Sequence, residues 1–147
     1  MSKVALVALA RPTFDLTCAQ SNFESARELL NDLGAEIVGP SELIMTPEDV
    51  AKAVVPSASL NILFMASFSD ASPAVELLSK VPGPVLLWSM REPGEVGERL
   101  KLNSMCGANL AAHALVSAGQ TVRHLHGNAN EDSVLSLIHI SEPTRPL

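Results

Sequence analysis

KVALVALARPTFD, residues 3–15, decides the fold. Its first eight residues are almost wholly apolar and rich in valine and leucine. That is the pattern of a strand covered on both faces, since a half-exposed strand alternates apolar with polar. Pro12 ends the run. The same grammar recurs along the chain, with AEIVG (35–39), LNILFMA (60–66), VLLW (85–88) and the weaker TVRHLHG (121–127) as further strands.

Helical patterns fill the intervals. In SNFESARELLNDLG (21–34), Phe23, Ala26, Leu30 and Leu33 share one face. Ser21 and Glu24 have capping-box spacing, and Gly34 gives a stop. In TPEDVAKAV (46–54), Thr46 caps, Pro47 takes the first helical position and Asp49 completes the box. Such a cap contributes about 1 kcal/mol, enough to fix where a helix begins. Ser72 and Pro73 repeat the start. Gly107–Gly119 predicts an alanine-rich helix with Leu110, Ala114, Leu115 and Ala118 inward. Strand alternating with helix predicts an α/β domain, doubly wound in three layers, α/β/α. Five strands predict a flavodoxin-like parallel sheet in the order 2-1-3-4-5, with strands one, three and four adjacent.

The chain has 147 residues, enough for one domain with a real core. A net charge of −6 argues against a nucleic-acid partner, and no basic cluster suits an anionic membrane. The N-terminal apolar run is shorter than the roughly 20 residues of a membrane span and lacks a signal-peptide cleavage pattern. A cytoplasmic location is expected, with Cys18 and Cys106 as free thiols.

Ligands of such sheets bind at the carboxyl ends of the strands. Strand one delivers Arg11 and Asp15; strand three delivers Ser67, Phe68, Ser69 and Asp70; strand four delivers Trp88, Ser89, Arg91 and Glu92. Arginine and carboxylates can hydrogen-bond vicinal hydroxyls, and aromatic rings can cover a sugar's C–H face. A small-molecule sugar is the expected ligand, with Arg11, Phe68, Trp88, Asp70 and Glu92 as its contacts. Each has a plainer reading. Arg11 could pair with Asp15, Phe68 and Trp88 could be core, Asp70 could cap a helix, and Glu92 could open a turn. Nucleotide-phosphate motifs are absent from the sequence. His124 and His126, two apart on a strand, face one way but make a poor metal site without a third ligand. Cys106 precedes the predicted last helix, with no partner base in view.

ALARPTFD (8–15), FMASFSD (64–70), REPGEVGERLKLNSMCGANLAAHAL (91–115) and HGN (126–128) together resemble the N-terminal region of the L-fucose and L-arabinose isomerase-like family. The resemblance implies an aldose–ketose isomerase using a divalent metal, usually manganese, held by carboxylates and a histidine from a later part of the family's chain. No catalytic residue and no metal ligand can therefore be mapped here. The family's N-terminal domain contributes to substrate recognition across a subunit boundary, which implies a homo-oligomer for the full-length protein. It also places Arg11 and Trp88, and less directly Phe68, near the sugar. On this reading residues 1–134 are the N-terminal α/β domain of the enzyme, inactive alone. The alternatives are a non-catalytic sugar-binding module and a regulatory flavodoxin-like domain.

LSLIHISEPTRPL (135–147) breaks the pattern. Its first eleven residues coincide with the translation of a transposase-based sequencing adapter. A non-native tail is expected, in which neither His139 nor Glu142 counts toward a site. Its alternation between Leu135 and Ile140 would also permit a strand.

Overall fold

The computed structural model describes residues 3–141. Its elements in chain order are β1 (Lys3–Leu9), α1 (Leu16–Asp32), β2 (Glu36–Val38), α2 (Pro47–Lys52), β3 (Leu60–Met65), α3 (Ser72–Leu78), β4 (Val85–Ser89), α4 (Ser104–Ser117), β5 (Val122–His126) and α5 (Asp132–Ser141). The five strands form one sheet, β2-β1-β3-β4-β5, with every pairing parallel. This is the three-layer α/β/α order that the strand pattern predicts.

Burial explains the composition of the strands. Residues 4–9 of β1 and all of β3 and β4 are buried, because helices cover both faces. Phe23, Ala26 and Leu30 of α1 pack with Val134 and Ile138 of α5 on one face, around Leu6, Phe64 and Trp88. On the other face Val50 of α2, Ala74 and Leu78 of α3, and Ala108, Ala111 and Leu115 of α4 meet Val7, Leu63 and Leu87. All strands point the same way, so all their carboxyl ends share one edge. That edge is where the chemistry-bearing residues gather.

Several local expectations are corrected. Helix α1 begins at Leu16, not near Ser21. Asp15 caps it by accepting the Cys18 N–H at 2.9 Å, and Ser21 and Glu24 lie more than a turn inside. Ser72 is the first residue of α3 rather than its cap, and Ala71 precedes it without a side-chain bond. Helix α2 has the expected capping box: the Asp49 N–H donates to Thr46 Oγ1 and the Thr46 N–H to Asp49 Oδ2, both at 3.1 Å.

Helix α4 starts three residues early and is turned differently. Ser104, Gly107, Ala108, Ala111 and Leu115 face inward, whereas Leu110 and Ala118 are exposed and Ala114 is only half-buried. Close approach is the reason. A Cβ on Gly107 would lie 2.9 Å from Met65 Cε and 3.1 Å from Phe68 Cα, so the smallest residues must face the end of β3. Residues 135–141 belong to a helix rather than a strand, with Val134 and Ile138 one turn apart in the core. A helix there covers the face of β4 and β5 that carries Trp88 and Leu125. Glu142 and the rest of 142–147 lie outside the described residues.

Candidate functional site at the carboxyl edge

One tripeptide ties the edge together. The backbone N–H groups of Lys101, Leu102 and Asn103 all point at Glu92, at 2.6 Å to Oε2 for Lys101 and 2.8 Å to Oε1 for Asn103, with Leu102 shared at 3.3 Å. Their carbonyls reach the other strands. The Lys101 carbonyl accepts the Asp15 N–H at 2.9 Å, and the Leu102 carbonyl accepts the Phe68 N–H at 2.7 Å. The Leu102 side chain is fully buried, and Asn103 takes a left-handed conformation (φ 51°) to enter α4. Loops after β1, β3 and β4 are thus one hydrogen-bonded unit. Glu92, a predicted sugar contact, spends its carboxylate on this unit and organises the loop instead.

The corner between β1 and β3 is open. Arg11 pairs with Asp70, with side chains 36% and 67% exposed, so its partner is not Asp15. The guanidinium lies over the Phe68 ring, 4.9 Å from the centroid, and Phe14 flanks that ring at 6.0 Å. Ser67 Oγ, fully buried, accepts the Arg11 backbone N–H at 3.0 Å and donates to the Phe68 carbonyl at 3.1 Å. The backbone beneath the arginine is therefore fixed while its tip reaches solvent. Arg11, Ser69, Asp70, Thr46 and Glu76 line a cleft of about 150 Å³. The geometry brings together Arg11, Phe68 and Asp70 of the predicted contacts. The guanidinium sits over one face of the Phe68 ring, so that face is already covered.

The corner between β4 and β5 is closed. Trp88, another predicted contact, has no exposed surface. Its ring packs edge-on against Phe64 at 5.1 Å, and its indole N–H donates to the Gly127 carbonyl at 2.8 Å. It alternates inward on a central strand, so its place is in the core. Gly127 has no room for a side chain: a Cβ would meet Val134 Cγ2 at 2.9 Å. Ser89, also fully buried, has its Oγ 2.8 Å from both His124 Nε2 and His126 Nδ1. One hydroxyl proton allows donation to one ring and acceptance from the other, so the two imidazoles need complementary protonation. Burial, and then the neighbouring His126, push the His124 pKa down. Arg91 forms a two-toothed pair with Glu131, whose carboxylate also accepts the Asn128 N–H. These bonds hold the Glu131 pKa down to about 2.

The Ser89–histidine network and the Arg91–Glu131 pair escaped the sequence reading. The parallel register Ser89↔His126 carries the first, and only the strand order supplies it. Cys106 is exposed on α4, and burial raises the Cys18 thiol pKa. Among the described residues no group of three or more His, Cys, Asp or Glu could hold a metal ion, and no helix is long and apolar enough to cross a membrane.

A parallel doubly wound sheet with a polar cleft at its strand ends defines an α/β unit of the class whose ligands bind at that edge. Known proteins narrow the class. No family model matches the chain. It is 33% identical over 139 residues to the sulfoquinovose isomerase of Clostridium sp. (strain MSTE9), covering 93% of this chain and 31% of that protein. It is 34% identical over 137 residues to the sulfoquinovose isomerase of Alkalicoccus urumqiensis, covering 91% and 30%. With that of Priestia aryabhattai it shares 28% over 136 residues. The chain is thus similar, over nearly its full length, to part of a sugar isomerase. It spans about a third of the length of the curated relatives it matches.

Proposed function

We propose that the chain is one α/β unit of an aldose–ketose isomerase and that its β1–β3 corner helps hold the sugar. Similarity over nine tenths of the chain to sugar isomerases carries this reading. The open corner supports a sugar contact there. Arg11 offers N–H donors in a plane and Asp70 offers acceptors, both at the rim of one cleft. Together they can bracket two adjacent hydroxyls of an open-chain or cyclic sugar. Phe68 is a positioning residue whose ring lies beneath the guanidinium.

The cleft measures about 150 Å³, well below the roughly 300–1,000 Å³ of ordinary ligand pockets. The missing walls are assigned to the rest of the whole protein and to a neighbouring subunit of a homo-oligomer. The proton transfer and the divalent metal, manganese by expectation, are assigned there too. The described residues do not suit a metal: His124 Nε2 and His126 Nδ1 are both committed to Ser89, and no third ligand joins them. What this chain supplies is orientation, which lowers a barrier by holding reactants in place. The cytoplasm is the proposed location.

The name shared by the relatives makes sulfoquinovose, a 6-deoxyaldohexose bearing a sulfonate, the proposed sugar in preference to L-fucose or L-arabinose. The test is ketose formation from these three sugars by the whole protein with manganese, followed by NMR. The sulfonated sugar is expected to be converted fastest. Absence of ketose from all three sinks the proposal. Residues 135–147 are proposed to be non-native; recovery of the same codons from source DNA overturns that.

A further inference from the structure

A second cleft opens on the same edge, between the loop after β1 and the loop after β4. It has a volume of about 390 Å³ and is lined by Thr13, Phe14, Asp15, Glu98, Arg99, Leu100 and Lys101. Phe14 stands between it and the Arg11 corner, its ring 6.0 Å from that of Phe68. The two clefts are therefore neighbours along one rim.

The charges of the rim are unevenly employed. Arg11 is paired with Asp70 and Arg91 with Glu131. Asp15 caps α1, and Glu92 holds three backbone N–H groups. Among the described residues, Arg99 and Lys101 take part in no ion pair. Both line this second cleft, and the Lys101 backbone is pinned at both its N–H and its carbonyl. Two carboxylates also line it: Asp15, whose Oδ1 accepts the Cys18 N–H, and Glu98, whose Oε2 lies beside Gly94 with no hydrogen-bond partner among the described residues.

We infer that this cleft is the subsite for an anionic substituent of the sugar, with Arg99 and Lys101 as its cations and Phe14 as the wall toward the Arg11 corner. The inference rests on the isomerase reading and adds to it the residues that select a charged substrate. An oxyanion such as a sulfonate or a phosphate offers three acceptor oxygens. Two cations on one short loop can share them, the guanidinium through two N–H groups and the ammonium as a point charge. Both side chains reach solvent, so neither is desolvated before the ligand arrives, and the attraction is screened by salt.

The test uses the whole protein with three sugars: sulfoquinovose, its uncharged counterpart quinovose, and glucose 6-phosphate. The double variant Arg99→Gln/Lys101→Gln is expected to raise KM for a charged sugar about tenfold and to leave KM for quinovose within about twofold. Glu98→Gln is expected to lower KM for the same charged sugar. An effect on sulfoquinovose identifies a sulfonate subsite, and one on glucose 6-phosphate a phosphate subsite; either supports the inference. Unchanged KM for both, or equal change for charged and neutral sugars, overturns it while leaving the isomerase reading intact. Failure of the unaltered protein to convert any of the three overturns the inference, and the isomerase reading falls with it when L-fucose and L-arabinose are also left unconverted.

Discussion

The two corners of the carboxyl edge carry similar residues and use them in opposite ways. Between β1 and β3, an arginine, a carboxylate and a phenylalanine stand at an open rim. Between β4 and β5, the tryptophan is buried and a half-exposed arginine is tied to a largely covered carboxylate. Trp88 is core, and Glu131 holds Arg91 and the Asn128 N–H. Residue type alone does not separate the two corners. Each corner holds its arginine in an ion pair; what separates them is the carboxylate, since Asp70 is 67% exposed at the rim of a cleft whereas Glu131 is 25% exposed and also holds the Asn128 N–H.

That contrast is breakable at its buried end first. Trp88→Ala is expected to destabilise the fold by about 3–5 kcal/mol, through the cavity it leaves and the orphaned Gly127 carbonyl. Chemical denaturation checks it, and a loss under about 1 kcal/mol would show that Trp88 is not the core residue described. Trp88→Phe keeps most of the volume and isolates the indole bond, with a smaller loss.

Glu92→Ala comes next. Three N–H groups lose their acceptor, two of them at exposed positions that water can serve, so a cost of about 1–2 kcal/mol is expected. Hydrogen exchange sharpens the point. The amides of Lys101, Leu102 and Asn103 should exchange faster as a set in this variant, and Phe68 with them. Unchanged exchange there would mean that Glu92 does not organise the loop.

Acid titration tests the closed corner more gently. The folded pKa of Glu131 lies near 2, below its ordinary 4.5. Its contribution is therefore complete above pH 4.5 and is lost as pH falls from there toward 2. Glu131→Gln should flatten the slope of stability against pH in that window. His124 follows the same sign, since its folded pKa is lowered: NMR should find it titrating below 6.5, and closer to 6.5 once His126→Asn removes the neighbouring charge.

The strands and their order were legible because period and burial are written directly in the composition of KVALVALA and LNILFM. The start of α1 was not, because Ser21 and Glu24 have capping-box spacing while the cap that forms is Asp15. Only the turn after Pro12 decides between them. The phase of α4 was hidden because alanine and glycine carry little amphipathic signal; the closeness of β3 selects them. Arg11, Phe68 and Asp70 could be placed at strand ends from the sequence, but their pairing needs β1 beside β3. Trp88 looked available because a strand's last residues can point either into the core or toward the rim.

Arg11→Ala is expected to change stability by under about 1 kcal/mol, since its ion pair is largely exposed. On the proposed function its consequence belongs to binding, which makes it the most direct test of the open corner. The measurement is kcat/KM of the whole protein for its sugar, made beside a thermal melt. The account predicts a fall of about tenfold or more with an unchanged melting temperature, and partial recovery in Arg11→Lys. Unaltered kcat/KM in a fully folded Arg11→Ala protein would contradict the claim that the β1–β3 corner faces the sugar.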